Sequence, residues 1–312
     1  MSSQAAGSLA SLSEAVHVRV PAKVNLALCV HARGEDGYHP LRTVFQALSL
    51  YDDLVASPAP DGVVDLVVRG RDADQVPAGE SNLAVRAGLA VRERYGTPDL
   101  GAHLLLTKSI PVAAGLAGGS ADAAGALLAC SVLWDLDTDP RALQEVAADV
   151  GADVPFALQG GTALGTGRGT QLLPLLTRGQ YHWALAFGYR GLSTAAVYER
   201  FDQTTGRGLE ELPEGLLEAL ASGDVPQVGA RLANDLQAPA LELYGELGQT
   251  LRYGSLLDGV VGAVLSGSGP TCAFLCTDAR AAKVVADRLA GLPTVRAAQA
   301  VVGGVPGAQL LG

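Results

Sequence analysis

Only three lysines, Lys23, Lys108 and Lys283, stand among the 22 basic residues of this 312-residue chain. Arginine supplies nearly every generic positive charge, so a lysine marks a place where a compact ammonium on a flexible stem reaches a single oxygen that a planar fork would overshoot. Asparagine is as scarce, at Asn25, Asn82 and Asn234. Lys23 and Asn25 lie two residues apart in the strand-like run Pro21-Ala-Lys-Val-Asn-Leu26, which turns both side chains to one face.

A second candidate is the run Pro111-Val-Ala-Ala-Gly115-Leu116-Ala-Gly118-Gly119-Ser120-Ala-Asp122-Ala-Ala-Gly125, after a strand and ahead of an Ala-rich helix. Glycines let the backbone approach an oxyanion closely, and free N–H groups at the positive end of a helix supply the attraction. Composition and placement are those of a phosphate cradle. The same glycines would also serve a tight turn that packs a helix closely, and the run alone leaves both readings open. It holds neither G-x-x-x-x-G-K-[ST] nor G-x-G-x-x-G, which argues against a Walker loop and a dinucleotide-binding fold. Asp122 suits the helix dipole but repels phosphate unless a cation intervenes.

These residues need elements to position them. Residues 16–20 and 24–30 read as a strand pair or one bent strand, with Pro21 at an edge or bulge. A charged loop, Arg33-Gly-Glu-Asp-Gly-Tyr-His39, leads to strands near 43–50 and 63–69. Ser81 is the expected N-cap of a helix over 82–95, and a strand at 103–107 runs into the glycine run, whose helix reaches about Trp134. Asp139-Pro140 opens a third helix with Leu143, Val146, Ala147 and Val150 as its buried stripe and Gly151 as its end. The glycine cluster at 160–169 reads as turn after turn and marks the expected domain boundary. Beyond it come a strand at 182–187, helical patterns at 194–201, 209–220 and 238–253, and strands at 260–265 and 271–276 around a second small-residue turn. A helix at 279–289 and a strand at 294–302 close the pattern. The irregular alternation predicts an α+β architecture of mixed sheets with helices packed on them. Its expected parts are a flexible tail at 1–14, an N-terminal domain at 15–165 and a C-terminal domain at 166–312.

Composition narrows the function classes. A net charge of −10 with no long block of either sign argues against nucleic-acid or anionic-membrane partners. With 48% hydrophobic and 17% charged residues the chain can fill a large core, which excludes disorder over most of its length. No apolar run reaches bilayer length, and residues 1–14 lack the basic start and apolar centre of a secretory signal. Cys29, Cys130, Cys272 and Cys276 read as free buried thiols of a cytoplasmic protein rather than as a metal site or disulfides.

The segment from Pro111 to Ala124 resembles the ATP-binding motif of the kinase superfamily that includes galactokinase, homoserine kinase and mevalonate kinase. Pro21-Ala-Lys23-Val-Asn25-Leu and Gly34-Glu-Asp-Gly37-Tyr38-His39-Pro-Leu resemble the opening of the 4-diphosphocytidyl-2-C-methyl-D-erythritol kinases of the non-mevalonate isoprenoid pathway. Gly151-Ala-Asp153-Val-Pro155-Phe and Leu232-Ala-Asn234-Asp235-Leu match the same kinases, and Leu265-Ser266-Gly-Ser268-Gly269-Pro is similar to the superfamily's third glycine motif. The resemblance runs in order from about residue 18 to 276.

It implies a two-domain small-molecule kinase fold with the active site in the interdomain cleft, ATP and Mg²⁺ as cofactors, and a small-molecule acceptor carrying a cytidine diphosphate group, phosphorylated at its 2-hydroxyl. Lys23 and Asp153 would stand beside that hydroxyl, Asp153 taking or orienting its proton and Lys23 stabilising the oxygen. Asn25, Tyr38, His39, Thr194 and Tyr198 would contact the acceptor, with the Tyr38–His39 pair at the cytosine. Gly115, Gly118, Gly119 and Ser120 would hold the ATP phosphates, Pro111 and Leu116 would belong to the same ATP site, and the Ser120 hydroxyl would be the one candidate magnesium partner. Asn82 and Lys108 would border the adenine, while Ser266, Gly267, Ser268 and Gly269 would support the ATP site from the second domain or line the substrate phosphates. Where the family usually shows two serines this chain has Ser120-Ala121, one hydroxyl fewer. Two alternatives stay on the same scaffold: a kinase of another small alcohol of the homoserine or mevalonate type, and an inactive ligand sensor. The Gly-Tyr-His loop argues against the first, and retention of both Lys23 and Asp153 against the second.

Overall fold

The computed structural model describes residues 15–60, 62–204 and 206–311; the tail expected at 1–14 lies outside the described residues. Strand β1 (Val16–Val30) belongs to two hydrophobic cores at once. Val18, Val20, Ala22, Val24 and Leu26 enter a large core, and after a register shift between Asn25 and Ala27 the side chains of Leu28 and Val30 enter a second. The other register shift falls at Pro21/Ala22, the bulge expected where proline supplies no N–H to the ladder.

Strand β2 (Leu41–Ala59) runs antiparallel to β1 and organises the first half of the chain. Its start pairs with β5 (Thr162–Gly167) and its end with β4 (Gly101–Lys108), beside which β3 (Val64–Gly70) lies parallel. The second half contributes the antiparallel order β11 (Ala297–Gly303), β7 (Tyr181–Phe187), β10 (Cys272–Cys276), β9 (Val260–Leu265). The two sets meet at a single pair, Gly303 with Leu48, and β12 (Gln309–Leu311) returns to the free edge of β1. β6 (Gln171–Pro174) forms a hairpin with β5, and the short β8 (Ala233–Asn234) lies parallel to β1.

Helices cover this sheet. α1 (Leu83–Tyr95), α2 (Gly118–Leu133) and α3 (Pro140–Val150) pack on the large core, and the buried residues of α3 are the predicted stripe, Leu143, Val146, Ala147 and Val150. Asp139 caps α3 through the Ala142 N–H, as its position before proline requires. α4 (Val154–Gln159) follows directly. α5 (Thr194–Thr204), α8 (Gln237–Leu243), α9 (Glu246–Ser255) and α10 (Ala279–Ala290) surround the second core.

Several local expectations shift. Asn82, not Ser81, caps α1, accepting from the Ala84 N–H. Residues 162–167 form strand β5 instead of turns, because pairing with β2 supplies what glycine-rich local sequence lacks. Pro213 and Gly215 confine the helix expected at 209–220 to α6 (Leu216–Ser222), ahead of the short α7 (Val225–Gly229), and the pattern at 238–253 divides into α8 and α9 at Tyr244 and Gly245. The four cysteines are free and buried, and burial pushes the Cys29 thiol up to about 11. Among the described residues no helix is long and apolar enough to cross a membrane.

Candidate active site

The chain leaves β4 through a loop that ends in α2, and this loop is built from unusual backbone. Gly115 has φ +75°, and Ala113 and Ala117 also adopt left-handed conformations, at φ 50° and 58°. A Cβ on Gly115 would stand 2.2 Å from the Ser266 carbonyl, so only glycine lets the loop touch the third glycine motif. Ala117 precedes α2 with no side-chain cap, which leaves the first-turn N–H groups of this 16-residue helix free for an oxyanion.

Lys23 reaches this loop from β1. Its ammonium, 7% exposed, donates to Asn25 Oδ1 at 2.8 Å and to the Gly115 carbonyl at 3.2 Å. Asp153, at the start of α4, places Oδ2 3.8 Å from Lys23 Nζ, and its side chain remains 31% exposed. Burial pushes the Lys23 ammonium below the ordinary lysine value, and the Asp153 charge offsets part of that. Asn25 is engaged at both its oxygen and its nitrogen: its amide donates to Thr43 Oγ1, which in turn donates to the Ala27 carbonyl. Asn25 thus orients Lys23, and Thr43 orients Asn25.

A cleft of about 330 Å³ opens between these groups. Lys23, Asn25, Asp153, Gly115, Gly118, Gly119, Ser120, Thr194, Tyr198, Gly267 and Ser268 all line it. Thr194 and Tyr198, four residues apart on α5, face it together, and the Thr194 and Ser268 hydroxyls are 2.9 Å apart. Burial and the Asp153 charge push the Tyr198 phenol up, so it stays neutral. A second cavity of about 190 Å³ adjoins across Gly118 and Gly119 and is lined by Asn82, Lys108 and Pro111.

The remaining expected residues do not line the cleft. His39 packs on Tyr198 with ring centroids 5.3 Å apart and meets Asp202 through Nε2 at 3.1 Å. Tyr38 is 55% exposed at the loop edge, its ring covered by the Arg168 guanidinium at 3.7 Å. Leu116 is buried in the core and contributes a carbonyl that accepts from the Lys23 N–H. Ser266 is buried and donates to the Gly115 carbonyl, and Gly269, at φ +78°, shapes the turn.

Three further residues support the site, of which only Asn234 stands in a segment singled out in the sequence. Asn234 donates to the carbonyls of Leu265 and Gly267 and so holds the third glycine motif. Phe45 lies 5.8 Å beneath the Lys23 ammonium. Asp52, buried on β2, pairs with Lys108, which also pairs with Asp122 at 2.7 Å. Burial pushes the Asp122 carboxyl well up despite that ammonium. Lys108 is the cation that stands against the Asp122 carboxyl group.

Comparison with known proteins identifies the family. The GHMP kinases N terminal domain family matches residues 82–161, and the GHMP kinases C terminal family matches residues 216–292. Fold and site together define a GHMP kinase. A 4-diphosphocytidyl-2-C-methyl-D-erythritol kinase of Cutibacterium acnes is 50% identical over 301 residues, 95% of this chain and 97% of that one. One of Streptomyces coelicolor is 50% identical over 302 residues, covering 95% and 99%. The crystal structure of a 4-(cytidine 5'-diphospho)-2C-methyl-D-erythritol kinase superposes with a TM-score of 0.74 at 36% identity, covering 92% of this chain and 99% of that one. The chain belongs to the 4-diphosphocytidyl-2-C-methyl-D-erythritol kinase family. A homoserine kinase from Cytophaga hutchinsonii, 18% identical with a TM-score of 0.75 over 96% and 98% of the two chains, shares the fold.

Proposed function

We propose that this protein transfers the γ-phosphoryl group of ATP to the 2-hydroxyl of 4-diphosphocytidyl-2-C-methyl-D-erythritol. The observation that carries the reading is the Lys23 ammonium 3.8 Å from the Asp153 carboxylate, in a cleft whose wall is the glycine loop at the start of α2. Phosphoryl transfer asks a protein mainly for alignment and charge neutralisation. The acceptor oxygen attacks the γ-phosphorus as the bond to the β-phosphate oxygen breaks, and the alcohol proton passes to Asp153. Lys23 faces the oxygen as it becomes anionic, and the uncapped first turn of α2 with Gly118, Gly119 and Ser120 cradles the phosphates.

The nucleotide base fits the cavity lined by Asn82, Lys108 and Pro111, with the Lys108 ammonium held beneath it by Asp52 and Asp122. Thr194 and Tyr198 form the acceptor wall, His39 backs Tyr198, and Tyr38 stands at the edge for the cytosine ring. Magnesium bound to phosphates needs few protein ligands. Among the described residues no cluster of three His, Cys, Asp or Glu forms a cage, and Ser120 offers a hydroxyl in the cleft. That donor set fits an ion that arrives with the triphosphate, to which it would supply charge neutralisation. We place the boundary between a nucleotide-side and an acceptor-side domain near residue 165, with the acceptor wall on α5 beyond it.

The test is acceptor choice. Purified protein with Mg-ATP is offered the cytidyl-erythritol alcohol, homoserine and mevalonate, and products are followed by ³¹P NMR. A new phosphomonoester signal is expected with the first alone. Turnover of homoserine or mevalonate without turnover of the first would replace this reading with the other-alcohol one.

A further inference from the structure

A carboxylate outside every glycine motif holds both ends of the nucleotide loop. Asp52 lies on β2, 1% exposed, paired with Val20 of β1 beside the register shift at Pro21/Ala22. Its Oδ1 accepts from the Ser109 N–H at 2.6 Å and from the Ile110 N–H at 2.9 Å, the two peptide groups just past the end of β4. Its Oδ2 accepts from Lys108 Nζ, and the same ammonium donates to Asp122 Oδ2 at 2.7 Å, five residues into α2 counting Gly118 as the first. A Cβ on Gly118 would come within 3.2 Å of that ammonium, so the helix start is seated directly on Lys108. Three elements are thus tied through one buried side chain: β2 by its own backbone, the exit of β4 by two N–H bonds, and the entry of α2 by Lys108 and Asp122.

We infer that Asp52 is a positioning residue for ATP, which sets where the nucleotide loop leaves β4 and where α2 begins without touching the nucleotide. The kinetic part of this inference rests on the kinase reading above. Hydrogen bonds to a charged acceptor are stronger than neutral ones, and two adjacent N–H groups on one carboxylate oxygen fix direction as well as distance. Asparagine at position 52 retains an oxygen for the two N–H groups but turns an amide donor toward the Lys108 ammonium. β2 then loses its link through Lys108 to α2, while the Lys23 side of the cleft is untouched.

Asp52→Asn is compared with wild type and with Asp139→Ala, which removes the cap of α3 but leaves the loop alone. The expected result for Asp52→Asn is a KM for ATP raised roughly tenfold, with the KM for the alcohol acceptor unchanged. In ligand-free protein, hydrogen exchange should be faster over residues 105–118 and unaltered elsewhere. Asp139→Ala should move neither quantity. An unchanged KM for ATP, an equal rise in both KM values, or unchanged exchange over 105–118 would each overturn the inference. Hydrogen exchange does not depend on turnover, so a failure of the kinase reading is distinguishable from a failure of the anchor. If Asp52→Asn does not fold, the Ser109 and Ile110 amides of wild-type protein decide by NMR exchange. Protection matching β4 supports the anchor, and loop-like rates contradict it.

Discussion

At Lys23 two opposing effects act on one proton. Burial favours the neutral amine, the Asp153 carboxylate favours the ammonium, and burial prevails. An acceptor oxygen developing negative charge at the same place restores the balance toward the ammonium, which is when it is needed. Because the native value lies below that of an unfolded lysine, the group lowers stability at neutral pH, and this penalty fades as pH rises between the two values. The scarcity of lysine makes the prediction readable, since a protein labelled at lysine Cε carries three signals. One, from Lys23, should titrate below the usual 10.5, and one, from Lys108, above it, because there two carboxylates outweigh burial. Asp153→Asn should move the Lys23 titration further down. A Lys23 signal at or above 10.5 would show that the ammonium is not in the buried site.

At the scale of elements, the loop between β4 and α2 is held in a strained form by contacts distant in sequence. Gly115 makes this concrete, because alanine there meets both a left-handed backbone, worth about 1–2 kcal/mol, and the Ser266 carbonyl. Gly115→Ala should lower unfolding free energy by at least that amount in denaturant titration and weaken ATP binding. A variant of wild-type stability and affinity would mean that the two glycine motifs do not touch. How much of this was legible in the sequence depends on range. Asp139-Pro140 and the α3 stripe are local signals and survive intact, as does the bulge at Pro21. The run at 111–125 was visible as a phosphate loop or a tight turn, and its contact with Lys23 through the Gly115 carbonyl emerges only in the fold. Asp52 and Thr43 were not legible as site residues, and Asn234 was legible only as part of a matched segment without its contacts, since their partners lie 56–58, 16–18 and 31–33 residues away and only the folded sheet brings them together. Strand β5 was missed for a related reason: its glycines read as turns until β2 offers them a ladder.

The whole molecule is organised so that distant segments converge on one cleft. β1 carries Lys23 between the two cores, α4 brings Asp153, α2 turns its free N–H groups to the same space, and α5 with the third glycine motif closes the far wall. An overall charge of −10 is no obstacle, because the local field comes from Lys23 and oriented peptide groups rather than from the net charge. The most direct measurement is single-turnover phosphoryl transfer by Asp153→Asn, with the affinities of both substrates measured in parallel. The account predicts roughly intact binding with transfer slowed by about 10²-fold or more, the scale of a lost general base. Transfer at the wild-type rate would remove Asp153 from the chemistry and contradict the account.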